Sequence, residues 1–213
     1  MRLICSIPPC AIASSMHKQQ QRRLAYAARN AQPDMDAASA EICRRVVSEP
    51  WYQQAQTVLW YLHCRSEVRT LPVVLTQLSI DKRIAVPFCT VDEQGHKCLG
   101  LWHLKSIEEL QPGMWNILEP PRERWREADR LISPAELDAV IVPGVAFDSK
   151  GGRLGNGAGY YDRLLSQVRA DTVLAGVCYE SQLLPQIDMQ SHDIYMDWVV
   201  TERTVYPGER RAL

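Results

Sequence analysis

The sequence predicts a three-layer α/β/α fold, a single domain on a mostly parallel sheet. Three observations carry that expectation. Runs such as Thr57-Val-Leu-Trp-Tyr-Leu62 and Leu137-Asp-Ala-Val-Ile-Val-Pro143 are rich in β-branched and apolar residues and lack polar alternation, as strands buried on both faces require. Segments of helical periodicity lie between such runs, and alternating strands and helices fold as a sheet covered on both sides. No Pro/Gly/Ser-rich or low-complexity linker divides the 213 residues.

The elements follow in order. From Ser15 to Asn30, Lys18, Arg22, Arg23 and Arg29 alternate with Leu24, Ala25, Ala27 and Ala28, which predicts a basic amphipathic helix capped near Ser14 or Ser15. A second helix is expected over 34–49, with Ile42, Val46 and Val47 as its apolar stripe and Pro33 and Pro50 as its brackets. The strand Thr57–Leu62, a helix from Leu71 to about Ser79 and a strand Arg83–Phe88 compose a βαβ unit. After the turn Asp92–Gly95 comes a strand Lys97–Leu104, and Trp115–Pro121 is set off as irregular by its prolines. The strand Leu137–Pro143 leads through a glycine-rich loop into a helix Tyr160–Val168. A strand Thr172–Cys178, a short helix Ser181–Ile187 and a closing strand Trp198–Thr201 complete the pattern.

Hydrophobic residues make up 46% of the chain and charged residues 23%, enough for a sizeable core. With 24 Lys plus Arg against 25 Asp plus Glu, the net charge of -1 gives no broad field for nucleic acid or an anionic membrane. The seven cysteines include no C-x-x-C pair, so reduced thiols in a cytoplasmic protein are expected rather than a disulfide framework or a zinc site. The five histidines lack metal-ligand spacing. The start of the chain, Arg2 followed by the apolar stretch Leu3–Ala13, weakly imitates a secretory signal, but Pro8-Pro9 interrupts it. The alternative reading makes Met16 the start of the domain, 16–213, and residues 1–15 a disordered extension. No apolar run approaches the roughly 20 residues that cross a bilayer. A monomer is expected.

The most informative stretch is Val142-Pro-Gly-Val-Ala-Phe-Asp-Ser-Lys-Gly-Gly-Arg-Leu-Gly-Asn-Gly-Ala-Gly-Tyr-Tyr-Asp162. Glycines allow positive φ and close ligand approach, and free amides entering a helix attract anions. The spacing is neither the P-loop nor the Rossmann pattern, so a phosphate cradle and a merely steric turn both fit. Arg153 could neutralise phosphate oxygens, and Asp162 could hold magnesium bridging them or simply complement the helix N-terminus.

Arg153-Leu-Gly-Asn-Gly-Ala-Gly-Tyr-Tyr-Asp-Arg163, preceded by Val142-Pro-Gly-Val-Ala-Phe-Asp148, resembles the signature of the 5-formyltetrahydrofolate cyclo-ligase family. Lys18 with Arg22, Ser66-Glu-Val-Arg-Thr70, Trp115-Asn-Ile-Leu-Glu-Pro120 and His192-Asp-Ile-Tyr-Met-Asp197 extend the likeness over about 18–201. The resemblance implies ATP and magnesium as cofactors and a reduced folate as substrate. It implies that Lys18, Arg22 and the loop residues Arg153, Leu154, Gly155, Asn156, Gly157, Ala158, Gly159, Tyr160 and Tyr161 hold the nucleotide. Asn156, Gly157, Ala158, Gly159 and Tyr160 also match folate-touching positions, as do Leu62 and Glu67. Asp162 and Asp193 match magnesium ligands. Arg153 and Asp162 are read as the catalytic pair.

Trp115 suits stacking on the folate or core packing. Asn156 and Ala158 stand where some members carry basic residues, and Arg69 stands where an acidic one is common. The expected reaction is phosphoryl transfer to the formyl oxygen followed by ring closure, which needs positioning and charge neutralisation rather than a nucleophilic triad. The rival readings are an enzyme of the same fold acting on another N-formyl or amino substrate, and a non-catalytic folate or nucleotide binder.

Overall fold

The computed structural model describes residues 17–80, 82–191 and 193–209. The expected extension over 1–15, the caps Ser14 and Ser15, and His192 lie outside them. Helix α1 (Lys18–Asn30) starts later than expected, capped by His17, whose Nδ1 accepts the Gln19 amide at 3.3 Å. Helix α2 (Met35–Ser48) is capped by Asp34, which accepts the Ala37 amide at 3.1 Å. Pro50, expected as a stop, instead begins a third helix, α3 (Pro50–Gln54), because proline is well suited to the first helical position.

Strand β1 (Thr57–Leu59) is shorter than its apolar run. Trp60 gives one further amide to Ala85, at 2.9 Å, and the chain then leaves the sheet while staying buried through Leu62. Then come α4 (Leu71–Gln77), β2 (Arg83–Val91) and β3 (Lys97–Leu104), the last with the expected bounds. The irregular stretch holds a two-stranded hairpin, β4 (Gln111–Pro112) with β5 (Leu118–Glu119). After β6 (Ala139–Pro143) the glycine-rich stretch folds as a second small hairpin, β7 (Ala146–Phe147) with β8 (Arg153–Leu154), before α5 (Tyr160–Leu165).

Strands β9 (Val173–Val177), β10 (Trp198–Val200) and β11 (Val205–Pro207) follow. The helix expected over 181–187 is only a 3₁₀ turn, Glu180–Gln182. Its Gln182 side chain is engaged elsewhere, accepting from the Tyr179 amide at 3.0 Å and donating to the Val145 carbonyl at 2.8 Å.

The main sheet runs β11-β10-β9-β6-β1-β2-β3, parallel through its centre and antiparallel at both edge pairs, β2 with β3 and β10 with β11. Side chains alternate across it. Ile141 faces a core with Ile42 and Val46 of α2, Tyr52 of α3 and Val74 of α4. Val140 and Val142 face the opposite core, with Leu164 and Leu165 of α5. Complete burial of a side chain such as Ile42 stabilises the fold by roughly 1.5–3 kcal/mol. The mostly parallel, three-layer expectation therefore holds. A third, smaller cluster joins Ala25 of α1 to Val145, Ala146, Leu154 and Ile187. No helix among the described residues is long and apolar enough to cross a membrane.

Candidate active site

The strand order fixes where a ligand can sit. Strand β1 connects through α4 to β2 on one side, and β6 connects through α5 to β9 on the other. The carboxyl ends of β1 and β6 thus flank a topological switch point, where open α/β sheets form their binding crevice. A cavity of about 520 Å³ opens there. Its walls are Leu62, Cys64 and Glu67 after β1, Pro143 to Val145 after β6, and Arg153 with Gly155 to Asp162 on the glycine-rich side. Tyr26 and Arg29 of α1, Phe88 and Cys89 of β2, and Met114, Trp115 and Glu119 of the β4–β5 hairpin also line it. A neighbouring cavity of about 450 Å³ shares Leu62, Cys64, Arg65 and Trp115.

The glycine-rich stretch divides into two parts. Gly151 and Gly152 serve the β7–β8 turn, where Asp148 accepts the Lys150 and Gly152 amides at 3.0 and 2.8 Å. For these two glycines the steric reading is the right one. Gly155 to Gly159 instead border the cavity, with Gly157 at φ 94 and Gly159 at φ 69, backbone that side chains rarely adopt. No acceptor among the described residues takes the amides of Asn156, Gly157, Ala158 or Gly159. That leaves a run of donors at the cavity edge, suited to an oxyanion.

Arg153 and Asp162 form an ion pair. The Arg153 guanidinium lies 5.9 Å from the centre of the Tyr161 ring and reaches the Pro143 carbonyl at 3.4 Å. Its Nε and the Tyr161 hydroxyl are buried without a protein partner. Burial, with a lesser contribution from Glu67, pushes the Tyr161 phenol well above its ordinary range, so it is a neutral donor. Tyr161 also packs against both main cores, whereas Tyr160 turns toward Cys89 at the cavity.

The opposite wall is held by side chains. Glu67 accepts the Cys64 amide at 3.0 Å, the Glu67 carbonyl receives the Tyr179 hydroxyl at 3.3 Å, and Ser39 binds the Arg69 amide at 2.9 Å. Burial raises the Glu67 carboxyl above its usual range, against the opposing pull of the Cys64 amide and the Arg29 charge. Glu119, buried, accepts the amides of Met114 at 2.9 Å and Cys89 at 3.3 Å and ties the hairpin to β2. The hairpin tip holds Trp115 and Asn116 in the left-handed region, and Trp115 is 57% exposed at the cavity rim. Core packing is therefore not its role.

Lys18, Arg22, Leu154 and Asp193 do not line the cavity. Lys18 pairs with Asp193 at 2.6 Å, and Arg22 donates to the Gly155 carbonyl of the loop at 2.8 Å. Leu154 turns into the small core and its carbonyl is taken by the Val145 amide at 2.7 Å. Asn156 accepts the Tyr26 hydroxyl. Arg69 lies on the outside, paired with Asp36. Tyr26, Arg29, Cys89 and Glu119 were not evident as cavity residues from the sequence. For Tyr26 and Arg29 the available signal was their spacing three residues apart on one helix face.

The model of the 5-formyltetrahydrofolate cyclo-ligase family matches residues 14–202. A probable 5-formyltetrahydrofolate cyclo-ligase of Schizosaccharomyces pombe is 31% identical over 184 residues, covering 80% of this chain and 87% of the relative. The Escherichia coli K12 5-formyltetrahydrofolate cyclo-ligase is 29% identical over 163 residues, covering 76% and 86%. The NMR structure of Aquifex aeolicus 5,10-methenyltetrahydrofolate synthetase superposes with a TM-score of 0.75 at 29% identity, covering 90% of this chain and 93% of that one. With its signature residues gathered at the switch-point cavity and this likeness along nearly its whole length, the chain belongs to the 5-formyltetrahydrofolate cyclo-ligase family.

Proposed function

We propose that the family's conversion of 5-formyltetrahydrofolate to 5,10-methenyltetrahydrofolate proceeds here with ATP and magnesium, through phosphorylation of the formyl oxygen. The observation that carries this reading is the run of unpaired amides from Asn156 to Gly159 beside the buried Arg153. Bound ATP with magnesium supplies an electrophilic phosphoryl group whose charge must be neutralised as it moves. The loop amides, with Arg153, offer that neutralisation.

Asp162 and Asp193 are the carboxylates suited to the metal. Among the described residues no group of three or more His, Cys, Asp or Glu side chains could hold an ion. Magnesium commonly completes its shell with phosphate oxygens and water, so one or two carboxylates suffice. On the other wall Glu67 and Leu62 orient the reduced folate, with Trp115 over its rings. Once the formyl oxygen carries the phosphoryl group, N10 attacks the formyl carbon, the carbon–oxygen bond breaks, phosphate departs with the oxygen, and N10 loses its proton. The product is the cyclic 5,10-methenyl cation. We place the enzyme in the cytoplasm as a monomer, in keeping with the unpaired state of the described cysteines Cys43, Cys64, Cys89, Cys98 and Cys178.

Mixing protein, 5-formyltetrahydrofolate, ATP and magnesium and following the near-ultraviolet band of the methenyl product tests the reading. The band is expected only with nucleotide and metal together, because an unactivated formyl oxygen is a poor leaving group. Product formed without nucleotide rules this route out.

A further inference from the structure

Arg29 presents a charge that no direct ion pair among the described residues balances, the Glu67 carboxylate acting on it only from beyond contact distance. It lies in the last turn of α1, is 5% exposed, and lines the cavity. Its Nε donates to Ser66 Oγ at 3.1 Å, and that hydroxyl donates in turn to Asn30 Oδ1 at 2.7 Å. The guanidinium carbon lies 4.9 Å from the centre of the Tyr26 ring. Lys18 and Arg153 each reach a carboxylate. No Asp or Glu among the described residues lies within ion-pair distance of Arg29. A guanidinium buried without a counter-ion is costly unless a ligand provides one. Ser66 engages Nε, and no acceptor among the described residues takes the two terminal nitrogens of this cavity-lining residue, which leaves a guanidinium fork able to match two oxygens of one anion.

The position of that fork narrows the choice of anion. Tyr26, one helical turn before Arg29, bonds Asn156 of the glycine-rich loop, while Ser66 adjoins Glu67 on the opposite wall. Arg29 therefore stands where the two walls meet. We infer that Arg29 binds the phosphoryl group in transit between them, and holds the inorganic phosphate that leaves after ring closure. This rests on the ATP-dependent reading. A carboxylate of the folate is the other oxyanion that the fork would accept, and the test separates the two.

The ligand-free protein is titrated calorimetrically with inorganic phosphate and, separately, with 5-formyltetrahydrofolate. Arg29→Met should weaken phosphate binding by about tenfold or more, the scale of losing hydrogen bonds to a charged group, and leave folate affinity within about twofold. Arg29→Lys keeps the charge without the fork. It should give an intermediate loss of about threefold, and it serves if the Met variant does not fold. Phosphate affinity unchanged in either folded variant, or no phosphate binding by the parent, overturns the assignment. A fall in folate affinity with phosphate binding intact overturns it in favour of a carboxylate site. Neither titration contains ATP, so its failure is distinguishable from product formation without nucleotide, which would strike the ATP reading instead.

Discussion

The two walls of the cavity are built on opposite principles. On one, Gly155 to Gly159 offer the main chain itself, with positive φ at Gly157 and Gly159 and amides left open. On the other, Glu67 and Ser66 present side chains, and the main chain there is held by Tyr179 at the Glu67 carbonyl and by Ser39 at the Arg69 amide. A wall of amides recognises any oxyanion of suitable shape, and loses that capacity when a Cβ is added. A wall of buried polar side chains selects by pairing and is sensitive to protonation. In the proposed mechanism the division suits an enzyme that holds a nucleotide and a heterocycle side by side.

The comparison breaks most severely at the catalytic end of the glycine-rich wall. Asp162→Asn retains the size but removes the partner of Arg153 and, in the proposed mechanism, a metal ligand. Turnover measured by the methenyl band should fall by roughly 10²-fold or more, with folate affinity preserved in a direct titration. If folate affinity falls as far as turnover, the two walls are not separate.

Gly157→Val should act on binding rather than on chemistry. A β-branched residue at φ 94 is strained, and its Cβ would sit 3.5 Å from an Arg22 terminal nitrogen. Affinity for a non-hydrolysable ATP analogue should drop about tenfold, on the scale of strain in a sparsely populated backbone region, with folate affinity unaltered. An unchanged analogue affinity would leave the glycines as a turn only.

The smallest effect sharpens the opposite wall. Glu67→Gln should raise the KM for folate by about three- to tenfold while sparing nucleotide affinity. Its stability profile carries a sign of its own. Burial raises the folded-state pKa of Glu67 above 4.5, so between the unfolded and folded values the native protein binds more protons than the unfolded chain. The parent therefore loses stability from this group as pH rises through that window, and Glu67→Gln should flatten that part of the profile. Melting curves from pH 4 to 7 that are parallel for parent and variant would contradict the burial argument.

Much of the fold could be read from the chain because its strands are apolar runs with clear ends. Lys97–Leu104 was legible to the residue. Strand β11 was not, since Val205-Tyr-Pro207 is too short to show a period, and the β7–β8 hairpin was hidden among glycines. The turn at Glu180–Gln182 read as a longer helix because the pattern cannot reveal that Gln182 is bound to Val145. On the site side, glycines announced the backbone wall. Arg29 looked like the polar face of an amphipathic helix and Tyr26 did not stand out, and only packing shows that the first is buried without a carboxylate in contact and the second reaches Asn156.

Helix α1 also makes the site a late event in the life of the chain. The Lys18–Asp193 pair spans 175 residues of sequence, and the Arg22–Gly155 bond spans 133. During synthesis the helix emerges before its partners and must wait for them. Contacts of such separation are costly to close and form slowly, so an incomplete nascent chain has Lys18 and Arg22 but not the partners they hold. In the proposed mechanism activity therefore arises only when the region around Asp193 has cleared the ribosome, and a product truncated before it would retain most of the sheet without that carboxylate.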